Sequence, residues 1–212
     1  MKLGLGSIAP NFNAVTTNGP IDFYNWLGYS WGLLLSHPED YTPVCTTELG
    51  VVAQLEKEFK KRNIKVIALS VDNMESHNGW KLEIEQAMNV KIGFPIIADE
   101  TAKIARLYGM IHEKTSDKHT IRSVFIIGPD KKIKLHLTYP MMVGRNFDEI
   151  LRVIDALQLN DQYKVLTPAN WKQNQDILID PKLTEENADN LLPSWSTKGA
   201  SYMRFAKNPK KN

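Results

Sequence analysis

Residues 31–50 read WGLLLSHPEDYTPVCTTELG, and the architecture of the protein follows from this stretch. Its first part, Trp31–Ser36, is an apolar run of the length typical of a buried strand. A helical pattern of apolar residues then leads to a second apolar run, IKVIALSV at 64–71. A strand, a helix and a strand in this order predict two parallel strands joined by a right-handed crossover.

The alternation of strand and helix patterns continues to residue 158. We expect these further elements: a helix over 75–88, a strand over 94–98, a helix over 101–108, a hairpin with strands over 122–127 and 132–137, and a helix over 146–157. Together they predict an α/β fold with a central mixed sheet flanked by helices.

The texture of the sequence changes after Leu159, where prolines interrupt short segments. Long helices are not expected there, because proline cannot continue a helix. The pattern predicts a main domain over residues 1–164 and a small C-terminal module over residues 165–212. We expect this module to pack on the main domain or on a partner subunit.

Composition is that of an ordinary globular protein, with 42% hydrophobic and 24% charged residues in a chain of 212. The net charge of +2 gives no general attraction for nucleic acid. The N-terminus lacks a signal-peptide core, and no apolar window is long enough to cross a bilayer. With one cysteine and no internal disulfide, the chain is predicted to be a soluble cytoplasmic protein.

The single cysteine, Cys45, is predicted to lie in the first turn of a helix. Pro43 suits a first helical position, and Thr42 before it is a candidate N-cap. Unpaired backbone N–H groups and the helix dipole at this end stabilise a thiolate, the nucleophilic form of a thiol. A lone cysteine is usually a small buried hydrophobe, but threonine neighbours at a helix start favour an activated thiol here.

Pro38, Thr42 and Cys45 reproduce the Pro-x-x-x-Thr-x-x-Cys signature, and the chain resembles the peroxiredoxins, in particular their single-cysteine class. The similarity extends through Asp72, Phe94-Pro95, Asp99 and Arg122 to residues 139–149, so it covers nearly the whole chain. The resemblance implies a thioredoxin-like fold with a C-terminal extension. It also implies a thiol peroxidase that serves antioxidant defence.

The resemblance assigns the catalytic roles. Cys45 would attack the terminal peroxide oxygen and become a sulfenic acid. Thr42 would hydrogen-bond the peroxide, and Pro38 would shield the site. Arg122 would hold the thiolate and polarise the peroxide, which suits an always-charged fork of donors.

Three further residues are expected to support the site. Glu48 and Arg145 match residues that orient Arg122 and the loop in such enzymes. His37 matches a histidine found near the sulfur, where it would tune protonation or make a structural hydrogen bond.

The chain has no second cysteine to resolve the sulfenic acid, so an external thiol is expected to do so. The family suggests glutathione; thioredoxin and ascorbate stay open. Hydrogen peroxide and organic hydroperoxides are the expected substrates, and no resident cofactor is expected. Dimers are usual for the resembled class, and the sequence alone does not distinguish a dimer from a larger ring.

A rival hypothesis is a hydrolase. Residues 28–32 fit Gly-x-Ser-x-Gly, and some single-cysteine relatives have a phospholipase A2 activity assigned to a serine at this place. Ser30 and Asp130 match two residues of that triad, but Tyr24 occupies the histidine position. Tyrosine is a poor general base at neutral pH, so we do not predict a lipase.

A third hypothesis is a redox sensor in which oxidation of Cys45 alters association. Persistent sulfenic or sulfinic acid with slow turnover would indicate it. A metal site is not predicted, because the histidines lack the close spacing of zinc ligands. They are His37, His77, His112, His119 and His136.

Overall fold

The computed structural model describes residues 3–192 and 194–210, so the outermost residues of both predicted domains lie outside this description. The elements, in chain order, are β1 Asn13–Thr16, β2 Gly19–Asp22, α1 Phe23–Leu27, β3 Trp31–Ser36, α2 Pro43–Gln54, α3 Glu56–Lys61, β4 Ile64–Ser70, α4 Met74–Met88, β5 Ile96–Ala98, α5 Lys103–Leu107, β6 Arg122–Ile127, β7 Ile133–Tyr139, α6 Phe147–Tyr163, β8 Ile177–Leu178, α7 Glu185–Leu191, β9 Ser196–Thr197 and β10 Arg204–Ala206.

A seven-stranded mixed sheet forms the centre, with strand order β2-β1-β5-β4-β3-β6-β7. Strand β3 pairs in parallel with β4, and Trp31 lies opposite Ile64. On its other side β3 pairs antiparallel with β6, which forms a hairpin with β7. The predicted α/β architecture, the parallel pair and the hairpin are confirmed.

Strand β3 is buried along its whole length, as expected for a strand covered on both faces. Leu34 joins Ile67 and Phe125 in an apolar cluster on one face of the sheet. Helices α2 and α4 pack against each other at Gly50, where an added Cβ would lie 2.8 Å from Cγ of Met88. This close approach fixes α2, and therefore its first turn, against the body of the fold.

Several elements differ from the expectations. The β1–β2 hairpin and the short helix α1 were not predicted, because elements of four or five residues are too short to show a period. Helix α5 covers only Lys103–Leu107, since Ala102 before it has a left-handed backbone. Helix α6 continues past residue 157 to Tyr163, and Leu159 in this extension is buried in an apolar cluster.

The chain divides into two compact units, of which the first ends at Phe147 and the second begins at Asp148. The second unit contains a three-stranded sheet with order β8-β10-β9. Its own apolar cluster consists of Leu159, Val165, Trp171, Ile177, Ile179, Ala188 and Ala206. None of the helices in the described residues has the length and apolar character needed to cross a membrane.

Candidate active site

Cys45 lies in the first turn of α2, directly after the loop that leaves the carboxyl end of β3. Thr42 occupies the N-cap position and Pro43 begins the helix. The predicted N-cap position of Thr42 is confirmed, although its side chain does not bond to the helix N–H groups: its hydroxyl donates to the carbonyl oxygen of Glu39 at 2.9 Å. The side chain of Cys45 is fully buried. The thiol therefore sits at the positive end of a helix and away from bulk water.

Arg122 reaches the cysteine from the first residue of β6, the antiparallel neighbour of β3. Its Nη1 donates to Sγ of Cys45 at 3.3 Å. Its Nε and Nη2 both donate to the carbonyl oxygen of Met141, at 2.9 and 2.7 Å. These bonds hold the buried guanidinium in one orientation with one edge against the sulfur.

Glu48 and Arg145 complete a buried ionic group around Arg122. Glu48 lies one helical turn after Cys45, and its Oε2 accepts from Arg122 at 2.7 Å and from Arg145 Nη2 at 2.7 Å. Its Oε1 accepts from Arg145 Nε at 2.9 Å. Burial alone would raise the pKa of Glu48, but the charge and hydrogen bonds of Arg145, with the charge of Arg122, outweigh it and lower that pKa.

The buried group around Arg122 carries more positive than negative charge. Two guanidiniums face one carboxylate, and Nη1 of Arg145 is otherwise bonded to the carbonyl oxygens of Ser36 and Ser123. One positive charge is thus left to be balanced in a region with little water. An anionic Cys45 sulfur, 3.3 Å from Arg122, would balance it.

Pro38 and Thr42 lie in the same loop as the cysteine. Pro38 is buried, and Thr42 is half-buried one helical turn ahead of Cys45. The carbonyl oxygen of Thr42 accepts from the backbone N–H and the hydroxyl of Thr46, at 3.0 and 2.9 Å. Thr42, the predicted donor to the peroxide, and Pro38, the predicted shield of the site, thus both lie on the segment that leads into Cys45.

His37 is buried, and its Nε2 lies 2.9 Å from Oδ1 of Asp40. Its Nδ1 has no hydrogen-bond partner among the described residues. Burial lowers the pKa of His37, although the hydrogen bond and charge of Asp40 act in the opposite direction. The structure therefore bonds this ring to Asp40 and not to the sulfur.

Asp40 also joins His37 to His77 of α4, a proximity that sequence analysis missed. Oδ2 of Asp40 lies 2.7 Å from Nδ1 of His77. The three groups offer atoms within 4.8 Å of one another, close enough to suggest a shared ion, but separations of 2.9 and 2.7 Å are those of hydrogen bonds. Burial would raise the pKa of Asp40, yet the hydrogen bonds from both histidines outweigh it and lower that pKa.

The hydrolase residues are each bonded elsewhere. Ser30 precedes β3, and its hydroxyl donates to Oδ1 of Asn63 at 2.9 Å. The hydroxyl of Tyr24 donates to the carbonyl oxygen of Ala9 at 2.6 Å. Asp130 accepts from Lys134 at 2.8 Å. The strand-to-helix elbow that a Gly-x-Ser-x-Gly nucleophile needs is not present at Ser30.

Two family models match this chain. The AhpC/TSA family model matches residues 5–136, and the model for the C-terminal domain of 1-Cys peroxiredoxin matches residues 156–194. The 1-Cys peroxiredoxin of Dictyostelium discoideum is 48% identical over 209 residues, which cover 99% of this chain and 87% of that protein.

Two solved structures are similar over almost their full length. A cysteine-to-serine mutant of the peroxiredoxin 6 of Arenicola marina has a TM-score of 0.93 and 47% identity, with 99% of this chain and 100% of that chain covered. The yeast mitochondrial 1-Cys peroxiredoxin has a TM-score of 0.91 and 47% identity, with 97% and 99% covered.

The mixed sheet and the cysteine at the start of α2 define a thiol-dependent peroxidase with a thioredoxin-like fold, as the resemblance implied. More narrowly, the chain belongs to the peroxiredoxin (AhpC/TSA) family, in its 1-Cys class.

Proposed function

We propose that Cys45 is the nucleophile that reduces hydrogen peroxide and organic hydroperoxides. Its thiolate attacks the terminal oxygen, the O–O bond breaks, and the leaving oxygen takes a proton to become water or an alcohol while Cys45 becomes a sulfenic acid. The observation that carries this proposal is the 3.3 Å contact of Arg122 with Sγ inside a buried group that lacks one negative charge.

Arg122, Thr42 and Pro38 divide the remaining catalytic work. Arg122 stabilises the thiolate and then the charge that develops on the leaving oxygen, because its Nη1 faces the sulfur from a fixed guanidinium. Thr42 is the proposed donor to the bound peroxide, with its hydroxyl leaving Glu39 when substrate enters. Pro38, buried in the same loop, excludes water from the sulfur.

Glu48 and Arg145 are the proposed supports of Arg122. Arg145 donates its backbone N–H and Nε to Oε1 of Glu48 and its Nη2 to Oε2. The carboxylate fixed in this way aligns Nη1 of Arg122, which also donates to Oε2. His37 supports the loop through Asp40.

An external thiol is the proposed reductant of the sulfenic acid. Cys45 is the only cysteine of the chain, so no partner thiol is available within it. The first thiol forms a mixed disulfide with release of water, and a second thiol restores Cys45 as its own disulfide forms. The yeast structure concerns thiol resolution through glutathione and thioredoxin systems, which supports this class of reductant here.

We propose a cytoplasmic dimer in which residues 1–164 form the peroxidase domain and residues 165–212 form a dimerisation module. A lone reduced thiol suits a reducing compartment. Because a similar yeast protein is mitochondrial, fractionation against mitochondrial markers tests the location. Light scattering tests the assembly, with a mass near twice 24.1 kDa expected and a larger multiple indicating a ring.

Stopped-flow oxidation of the reduced protein by hydrogen peroxide tests the function. Trp80 is buried and its Nε1 donates to Thr46, beside Cys45, so its fluorescence reports the reaction. We expect rapid formation of one sulfenic acid per chain, detected by mass, and no reaction for Cys45→Ser. A wild-type protein that reacts no faster than free cysteine would overturn the proposal. Fast oxidation with slow reduction by every thiol tested would instead indicate a redox sensor.

A further inference from the structure

Asp40, in the loop before Cys45, makes hydrogen-bond contacts with several residues from other parts of the chain. Its side chain is buried, and its Oδ2 accepts from the hydroxyl of Ser76 at 2.8 Å as well as contacting His77. Its Oδ1 contacts His37, and its backbone N–H donates to Oδ2 of Asp72 at 3.1 Å. The loop is therefore tied at Asp40 to the first turn of α4 and to the end of β4.

Both ring nitrogens of His77 face oxygen acceptors. Nδ1 lies 2.7 Å from Oδ2 of Asp40, and Nε2 lies 3.1 Å from the carbonyl oxygen of Ile97. A carbonyl oxygen and a carboxylate oxygen can only accept, so each bond requires a proton on that nitrogen. The form of His77 that makes both bonds is the imidazolium, paired with the Asp40 carboxylate in a fully buried setting.

The loop held by this pair is strained. Tyr41, between Asp40 and Thr42, has a φ of 53°, in the left-handed region that disfavours bulky residues. Such a conformation costs free energy and persists only where surrounding contacts hold it. The Asp40 bonds are contacts of this kind, and they lie immediately before the strained residue.

Helix α4 also contacts the chain immediately after Cys45. Nε1 of Trp80 donates to Oγ1 of Thr46 at 3.1 Å, and the Trp80 ring lies 5.1 Å from the ring of His37. His77 and Trp80 are one helical turn apart. One face of α4 thus contacts the loop before Cys45 and the helix turn after it.

We propose that Asp40 and His77 are positioning residues for peroxide reduction: as a carboxylate–imidazolium pair they hold the Pro38–Thr42 loop in its strained, reactive shape. This inference rests on the proposed function of Cys45. The pair contacts neither sulfur nor Arg122 in the bonds described, so it acts on the peroxide-contacting side of the site. The thiolate is held independently, by Arg122 and the helix start.

Because the loop and the thiolate are held by different groups, loss of the pair should slow oxidation without changing the thiolate. General destabilisation would not produce this combination. Asp40→Asn and His77→Gln are compared with wild type by the second-order rate constant with hydrogen peroxide and by the ultraviolet absorbance of the Cys45 thiolate across pH. We expect oxidation to slow by about 10–100-fold in both variants, because small misplacements of reacting groups cost this much, while the thiolate absorbance profile stays that of wild type.

Asp99→Asn is the matched control. Asp99 is also a buried carboxylate, but it accepts from the backbone N–H groups of Ile104 and Ala105 at the start of α5. This variant is expected to lose stability and keep the oxidation rate. If Asp40→Asn and His77→Gln, folded by circular dichroism, oxidise at the wild-type rate, the inference is wrong.

Nitrogen-15 spectra of the histidine side chains test the pair in the wild-type protein, whatever the variants do. If the two contacts of His77 are hydrogen bonds, its ring should show protons on both nitrogens, and His37 a proton on Nε2 alone. A bare nitrogen on His77 overturns the inference. If wild-type protein fails to react with peroxide while His77 shows both protons, it is the proposed function of Cys45 that fails, and the pair itself stands.

Discussion

The two ends of strand β3 carry two candidate nucleophiles in very different settings. At the carboxyl end the chain passes through a short loop into α2, and Cys45 meets a helix start, a guanidinium and a buried carboxylate. At the amino end Ser30 borders a surface pocket of about 390 Å³ and bonds to the side-chain amide of Asn63. The carboxyl end of β3 thus places its nucleophile beside a helix start and a cation, whereas the amino end does not. We call these the prepared end and the unprepared end of the strand.

The difference follows from the direction of the parallel strands. Helix N-termini, with their free N–H groups and positive dipole ends, follow the carboxyl ends of such strands. The amino end of β3 instead follows a turn from α1, so along the chain Ser30 comes after a helix end and not at a helix start. A nucleophile motif therefore predicts a catalytic site only when the strand end at which it lies is also known.

Replacement of Arg122, at the prepared end, should have the largest effect of the changes predicted here. Arg122→Ala removes the only side-chain donor to Sγ among the described contacts and leaves Glu48 with Arg145. We expect the rate constant with hydrogen peroxide to fall by about 10²–10³-fold, the typical loss of a donor to developing charge. Stopped-flow fluorescence measures it. Arg122→Lys, which keeps charge without the fork, should recover only a small part.

Replacement of Glu48 should destabilise the same end. Glu48→Gln leaves two buried guanidiniums without their carboxylate, which costs about 3–5 kcal/mol of unfolding free energy by the usual cost of breaking a buried pair. Urea denaturation measures this loss. Glu58→Gln is the control, because Glu58 also has two cationic partners, Lys61 and Arg62, but lies at the surface. Equal losses in the two variants would contradict the buried charge group.

The neutral His37 ring should make stability depend on pH. Because burial lowers the pKa of His37, the unfolded chain takes up a proton below about pH 6.5 that the native state does not. Stability should therefore be full above that pH and fall as the pH drops, by roughly 1 kcal/mol per pH unit for one proton. His37→Gln should flatten this slope between about pH 6.5 and 5, where ordinary carboxyl groups are mostly ionised.

Denaturant midpoints at a series of pH values measure the slope. His112→Gln is the control, since His112 is exposed and its loss should leave the slope unchanged. A slope that is the same in wild type and His37→Gln would show that the buried ring is not responsible.

Replacement of Ser30 should have the smallest effect and sharpens the contrast between the ends. Ser30→Ala removes one exposed hydrogen bond to Asn63. We expect no change in peroxide reduction and a change in stability within about 0.5 kcal/mol, as for most surface substitutions. A loss of peroxidase activity in Ser30→Ala would show that the two ends of β3 are coupled.

Local sequence determined a large part of this protein. The buried runs 31–36 and 64–71, with a helical stretch between them that the structure divides into α2 and α3, predict a parallel pair, and Pro43 places the helix start two residues before Cys45. These features depend on neighbours along the chain, so short-range patterns are enough to predict them. The β1–β2 hairpin and the last turns of α6 were not predicted, because their stability comes from tertiary packing and not from a periodic pattern in the local sequence.

Only the tertiary structure decided which charges meet. Arg122 and Arg145 are 74 and 97 residues from Glu48, and His77 is 37 residues from Asp40. Resemblance pointed to the first three residues, while nothing local distinguished Asp40 or His77 from solvated groups. Sheet register brings β6 beside β3, and the packing of α4 on α2 brings His77 to the loop. Such contacts form only when the chain folds, because burying a charge costs too much free energy unless an oppositely charged partner is buried beside it.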